Sequence, residues 1–213
     1  MEKPIYIFLL GRPGCGKSEF FRRLSKRIIE EKIATKIDRI DDYPKLEAKW
    51  KEAKSKKDFS RIKPSEDGSN LDSSFTIVDL SIYDEVLKEL SDEILKKRDE
   101  YEVLFIEFSR PKNLEAIRNF NKEILKNSIA VYLDVPFEIC WERILSRIKK
   151  MKEQGIDGHL VPKEKMKSMY EYDDKEEFLK NSPVPVVHIQ NRERVGFKKI
   201  NQGVEEAIKL LKK

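Results

Sequence analysis

An α/β fold, a five-stranded parallel sheet with helices on both faces, is predicted by three features of this 213-residue sequence. Segments rich in Val, Ile, Leu and Phe alternate along the chain with segments whose apolar residues recur at helical spacing. The strand-like runs are almost continuously apolar, as strands covered on both faces must be. A glycine-rich loop, GRPGCGKS, separates the first strand from the first helix.

Residues 4–10, PIYIFLL, form the first strand. After the loop, Phe20, Phe21, Leu24 and Ile28 define the buried stripe of a helix, with Arg22, Arg23, Lys26 and Arg27 between them. TKIDRIDDYP reads as a short second strand closing on Asp41, Asp42 and Tyr43, with Pro44 as a turn or first helical residue. The stretch from Lys45 to Lys63 carries eight Lys or Arg against three acids, a local excess equal to the +5 of the whole chain. It admits three readings, a solvated amphipathic helix, a clamp for an acceptor phosphate and a nucleic-acid footprint, and the apolar stripe of Leu46, Trp50 and Ala53 favours the first. Its aromatics are not interleaved among the lysines as base-stacking platforms would be.

PSEDGSN marks a flexible loop. Tyr83, Val86, Leu87, Leu90 and Ile94 make the next helix, and EVLFIEFSR a third strand whose apolar run ends at Glu107. Leu114, Ile117, Phe120, Ile124 and Leu125 read as one helix, followed by IAVYLDV as the fourth strand. Phe137, Cys140, Trp141, Ile144, Leu145 and Ile148 form a helical stripe that leaves Arg143 and Arg147 one turn apart on another face. Residues 149–182 lose this regularity, PVPVVHIQ forms the fifth strand, and Val204, Ala207, Ile208 and Leu211 belong to a closing helix.

Composition sets the broad class. Length suggests one domain over 1–213. No apolar run approaches the roughly 18 residues of a membrane span, and the start of the chain lacks a signal-peptide pattern, so a cytoplasmic protein without membrane contact is expected. Cys15 and Cys140 stand far apart, without disulfide-framework or metal-ligand spacing. The formal charge of +5 is modest and does not by itself imply nucleic acid.

Gly11, Gly16, Lys17 and Ser18 fit G-x-x-x-x-G-K-[ST], between a buried strand and a helix as a phosphate-binding loop requires. Successive amides around Gly14 to Ser18 would form an anion-binding concavity reinforced by the helix dipole. Lys17 would reach the β- and γ-phosphates and the Ser18 hydroxyl would ligate Mg²⁺. The candidate nucleotide-binding set is Gly11, Gly14, Cys15, Gly16, Lys17, Ser18 and Glu19. Helix-terminal placement could activate the Cys15 thiol, but a small side chain in a crowded loop explains it, and it is assigned no catalytic role.

Phosphoryl transfer needs a carboxylate near Mg²⁺ or its waters, and often a second for the acceptor hydroxyl. Glu107 ends an apolar strand and so belongs at the carboxyl edge of the sheet beside the glycine loop, the first candidate. Asp41 and Asp42 occupy the same edge after the second strand, where an aspartate pair can equally cap the following turn; Asp38 is a weaker candidate. Arg143 and Arg147 could close over the phosphates, or lie on a solvated helix face. His159 reads as a loop residue and His188 as a strand-end residue.

GRPGCGKS resembles the G-x-P-G-x-G-K-[ST] loop of adenylate kinase and related P-loop nucleoside and nucleotide kinases, most specifically over residues 4–20. The resemblance implies a three-layer P-loop NTPase fold of strand order 2-3-1-4-5, ATP as phosphoryl donor with Mg²⁺, an acceptor-binding excursion at 45–82 and a lid-like excursion at 149–182. EFSR is similar to the E-x-x-R or D-G-F-P-R segments of such kinases, which implies Glu107 as base or metal-water ligand and Arg110 as acceptor clamp, with Phe108 where the adenylate kinase form has glycine. DDYP is similar to a segment of uridine and nicotinamide riboside kinases in which the first aspartate, here Asp41, serves the acceptor hydroxyl. NRER at 191–194 lies where adenylate kinase-like proteins hold adenine.

The expected function is transfer of the γ-phosphoryl of Mg-ATP to a small nucleoside, nucleotide or related acceptor, with Arg143 and Arg147 as lid arginines. A polynucleotide end kinase is the first alternative. A P-loop switch NTPase is the second, and the sequence has no N-K-x-D-like base-reading segment for it.

Overall fold

The computed structural model describes residues 3–65, 75–154, 163–170, 173–193 and 196–212. His159, Arg194 and most of the PSEDGSN loop lie outside them.

The elements run β1 (Ile5–Leu10), α1 (Lys17–Glu30), β2 (Ile37–Asp41), α2 (Tyr43–Lys56), β3 (Ile62–Pro64), β4 (Phe75–Ile77), α3 (Ser81–Lys96) and β5 (Val103–Glu107). They continue with α4 (Asn113–Ile117), α5 (Lys122–Lys126), β6 (Ser128–Asp134), α6 (Phe137–Glu153), α7 (Lys163–Tyr170), α8 (Lys175–Asn181), β7 (Val186–Gln190) and α9 (Lys198–Leu211). Five parallel strands form one sheet of order β2-β5-β1-β6-β7, which is the 2-3-1-4-5 order counted along the sheet strands alone.

β1 lies at the centre, paired on both sides, and its residues after Ile5 are all buried. Pleating divides them between the two faces. Ile7 and Leu9 pack with Phe20, Leu24 and Ile28 of α1 and Val204 and Ile208 of α9. Tyr6, Phe8 and Leu10 pack on the opposite side with residues of α3, α4 and α5 and with Phe178 of α8. Two covered faces are why the strand reads as unbroken apolar sequence rather than as alternation.

Several elements differ from the sequence expectation, among them α7 and α8 within the stretch 149–182. The predicted helix spanning Leu114 to Leu125 is two short helices, because the chain turns extended at Asn121, whose side chain accepts the Glu123 amide and starts α5 afresh. The segment between β2 and α3 contains a two-stranded antiparallel hairpin, β3 with β4, which three-residue strands leave too short to detect by periodicity.

A satellite core of Leu46, Trp50, Ile62, Ile82 and Val86 binds α2, the hairpin and α3 together. Another, of Ile144, Ile148, Met166 and Tyr170, joins α6 to α7. α6 runs on to Glu153, past the point where the sequence pattern fades. Among the described residues no helix is long and apolar enough to cross a membrane.

Candidate active site

The loop after β1 holds Gly11, Gly14 and Gly16 at φ of 132°, 81° and 108°, a conformation side chains resist. At Gly14 the constraint is double, since a Cβ there would also meet the Cys140 carbonyl oxygen of α6. No side chain caps α1 at Gly16, which leaves the first-turn amides, lacking intrahelical acceptors, for a ligand. Cys15 is fully buried, and burial pushes its thiol up from the ordinary value, the reverse of an activated nucleophile.

Lys17 is 6% exposed and folds back into its own loop. Its Nζ donates to the Gly11 carbonyl at 3.0 Å, to the Arg12 carbonyl at 3.3 Å and to Ser109 Oγ at 2.8 Å, and stands 3.9 Å from Glu107 Oε1. Ser109 in turn donates to the Gly11 carbonyl at 3.2 Å, tying the segment after β5 to the loop.

The β2/β5 register sets Asp41 beside Glu107, and two residues back Arg39 beside Phe105. Pleating therefore puts Arg39, Asp41 and Glu107 on the face that α1 covers, where Phe21 of α1 meets Phe105 at 4.9 Å. Arg39 crosses from β2 to this corner: Nη1 donates to Ser18 Oγ at 3.3 Å and Nη2 lies 2.5 Å from Glu107 Oε2. That buried oxygen is nonetheless outside hydrogen-bond geometry with any partner among the described residues. Sequence reasoning missed Arg39. The usable signal was its i, i+2 relation to Asp41 on a strand ending at the sheet edge.

The aspartate pair divides its roles. Asp41 Oδ1 accepts the Tyr43 amide at 2.9 Å, closing the turn into α2, while the residue lines the adjoining cavity. Asp42 is buried and pairs with Arg110, each side chain 10% exposed. The Arg110 guanidinium also stacks over Tyr83, 4.1 Å from the ring centroid, and donates to the Ser109 carbonyl at 2.8 Å.

Burial holds the Asp42 carboxyl above its ordinary range even though Arg110 opposes the shift. An acid raised in the folded state contributes stability that is complete below the unfolded value of about 3.9 and is lost as pH rises through the folded value. Asp42→Asn is therefore expected to flatten the decline of Tm with rising pH just above pH 4, read as the difference between the two proteins' Tm-against-pH curves. Superimposed curves would exclude this role.

Arg110, Arg147, Asp41 and Glu107 all line a cavity of about 820 Å³ that reaches Pro13 of the glycine loop. Tyr43, Phe75, Tyr83, Trp141 and Tyr170 supply much of its wall. Arg147 is exposed and makes no ion pair among the described residues. Arg143 lies elsewhere: it donates to the Cys15 carbonyl at 3.3 Å and the Glu193 carbonyl at 2.9 Å, bolting the glycine loop to the segment after β7. There it borders a second cavity, of about 370 Å³, with Gly16, Glu19, Asn191, Phe197 and Ile200. His188, expected at a strand end, stands in the middle of β7, 3.4 Å from Asp134, and lines neither cavity.

Fold and loop together define a P-loop protein with the sheet order of the nucleoside and nucleotide kinase superfamily. The chain belongs to the AAA domain family, which matches residues 7–169. Among solved structures, it is similar to the Mycobacterium tuberculosis APS kinase CysC in complex with AMPPNP and APS, at 14% identity and TM-score 0.54, covering 100% of each chain. It is also similar to a sugar kinase of a Janibacter species, at 14% identity and TM-score 0.53, covering 98% of this chain and 95% of that one. A gluconokinase from Sinorhizobium meliloti aligns at 12% identity and TM-score 0.52, covering 100% and 98%. At these identities the likeness is one of fold. No curated protein matches the chain by sequence.

Proposed function

We propose that the protein is a phosphotransferase moving the γ-phosphoryl of Mg-ATP to a small nucleoside or nucleotide-like acceptor. The observation that carries this reading is the cavity of about 820 Å³ in which Glu107 and Asp41, side by side at the sheet edge, meet an aromatic wall next to the glycine loop. Its volume lies within the roughly 300–1,000 Å³ of small-molecule sites. Aromatic faces suit a planar base, each stack contributing about 1–3 kcal/mol, whereas a polyhydroxyl acceptor would call for a more polar lining.

The residues fit the groups this chemistry needs. Gly11 to Ser18 with Lys17 would hold the polyphosphate, and the smaller cavity at Arg143 and Asn191 would hold the donor base. Ser18 Oγ and the buried Glu107 Oε2, already bridged by a cationic side chain, form a donor set suited to Mg²⁺ or its waters. Bound Mg-ATP supplies the phosphoryl group and neutralises part of its charge. Glu107 or Asp41 would take the acceptor hydroxyl proton, Arg147 would face charge developing on the transferred group, and Arg110 would position the acceptor from the wall.

The alternative of a polynucleotide acceptor is disfavoured by α2. Lys45, Lys49, Lys51 and Lys56 are paired with Glu93, Glu89, Glu47 and Glu52, and charges paired this closely project little field beyond a Debye length of about 10 Å. Trp50 is buried in the satellite core rather than presented for stacking.

ADP release with Mg-ATP, measured across nucleosides, nucleotides, sugars and an oligonucleotide end, tests the proposal. One nucleoside or nucleotide should accelerate it well above the acceptor-free rate; stimulation only by the oligonucleotide, or by nothing, would refute it. With that acceptor, Asp41→Asn should lower kcat/KM by roughly 10²-fold at unchanged Tm, because the amide oxygen can still cap Tyr43. An unaltered rate would leave Asp41 as a turn cap alone.

A further inference from the structure

We propose that Arg39 is an internal counter-cation of the metal site, excluding free divalent ions until nucleotide phosphates arrive with them. The inference rests on the reading of Ser18 and Glu107 as the metal's ligands. Its basis is a coincidence of position: the Arg39 guanidinium spans the two groups expected to share the ion, 3.3 Å from Ser18 Oγ and 2.5 Å from Glu107 Oε2. Arg39 comes from the middle of β2, outside the glycine loop, and its guanidinium carbon rests 5.4 Å from the Phe21 ring centroid, so α1 guides its approach.

Charge balance gives the arrangement a consequence. Glu107 already faces two cations, Arg39 at Oε2 and the buried Lys17 Nζ at 3.9 Å from Oε1. Among the described residues no group of three or more His, Cys, Asp or Glu is placed to hold a metal, so Glu107 and its neighbour Asp41 would have to balance Lys17, Arg39 and a divalent ion together, two negative charges against four positive. A metal alone is repelled. A metal accompanied by phosphate oxygens brings its own negative charge, Lys17 turns to those oxygens, and Arg39 can release Glu107. Arg39 has somewhere to go, since its side chain is 27% exposed. Arg39 is thus a positioning residue that holds Ser18 and Glu107 in the metal-free state and couples metal entry to nucleotide entry.

Mn²⁺, a paramagnetic substitute for Mg²⁺, provides a readout independent of turnover. The nucleotide-free chain is titrated with Mn²⁺ by electron paramagnetic resonance, alongside Arg39→Met, Arg39→Gln, Arg39→Lys, Glu107→Gln and the double variant Arg39→Met/Glu107→Gln. The natural protein and Arg39→Lys should bind weakly. Arg39→Met and Arg39→Gln should each bind at least about tenfold more tightly, about 1.4 kcal/mol, and the double variant should lose that gain. Equal Mn²⁺ affinity in the natural protein and either neutral variant would overturn the role of Arg39, as would a gain that survives Glu107→Gln. A parallel titration with Mn²⁺ and AMPPNP separates the two levels of inference. Binding there that weakens with Glu107→Gln upholds the metal site even if the Arg39 result fails, whereas no binding by any of these proteins would remove the metal-site reading and this inference with it.

Discussion

Lys17→Met is expected to abolish phosphoryl transfer, lowering kcat by at least about 10³-fold, or roughly 4 kcal/mol of transition-state stabilisation. The size follows from burial. At 6% exposure, in an enclosure shared with loop carbonyls and Glu107, the ammonium acts where water screens it poorly. Methionine keeps the aliphatic stem and removes the charge. It also leaves the Gly11 and Arg12 carbonyls without this donor, at a cost of about 1–3 kcal/mol in stability.

Thermal unfolding and AMPPNP affinity must therefore be measured beside the rate. A folded Lys17→Met protein that turns over within tenfold of the natural rate would show that the loop does not hold the transferred phosphate. Lys17→Arg should not restore activity, since a forked guanidinium cannot occupy the space of a single Nζ already engaged at 2.8 to 3.3 Å with three acceptors.

Glu107→Gln should have the second-largest effect, a loss in kcat of about 10²–10⁴-fold, whether the carboxylate accepts the acceptor proton or holds the metal. Glutamine is nearly isosteric, so the sheet edge should be preserved, but Lys17 and Arg39 lose their counter-charge and Tm should fall, so the rate is compared at a temperature where both proteins are folded. The two roles separate by their metal response. If Glu107 holds the metal, raised Mn²⁺ should partly restore the rate; if it is the base, the rate should stay low at every metal concentration. Full activity in the variant would move the essential carboxylate to Asp41, its neighbour in the β2/β5 register.

Much of this site is visible in the order of residues. Gly11, Gly14, Gly16, Lys17 and Ser18 are dictated by local backbone geometry and by one turn of helix, so the loop and its place between β1 and α1 can be read without knowing the rest of the chain. Glu107 was recognisable because an apolar run that stops at an acid marks where a buried strand reaches the sheet edge. Arg143 shows the limit. Helical spacing sets it one turn from Arg147, and the two share a groove along α6, yet Arg143 also bridges to Glu193 while Arg147 reaches the large cavity. Asp41 and Asp42 are adjacent in the chain, and only packing assigns one to a turn and the other to Arg110, across the sheet edge.

By itself the sequence determined the strand and helix alternation, the central buried strand and the phosphate loop, because each depends on periodicity or on contacts within a few residues. The tertiary structure alone decided the break at Asn121, the β3/β4 hairpin, the aromatic cavity and the placement of Arg39 against Ser18 and Glu107. The physical reason is that these features join side chains distant in the chain. Their free energy comes from desolvation and charge pairing set by strand register and helix packing, which residue spacing does not encode.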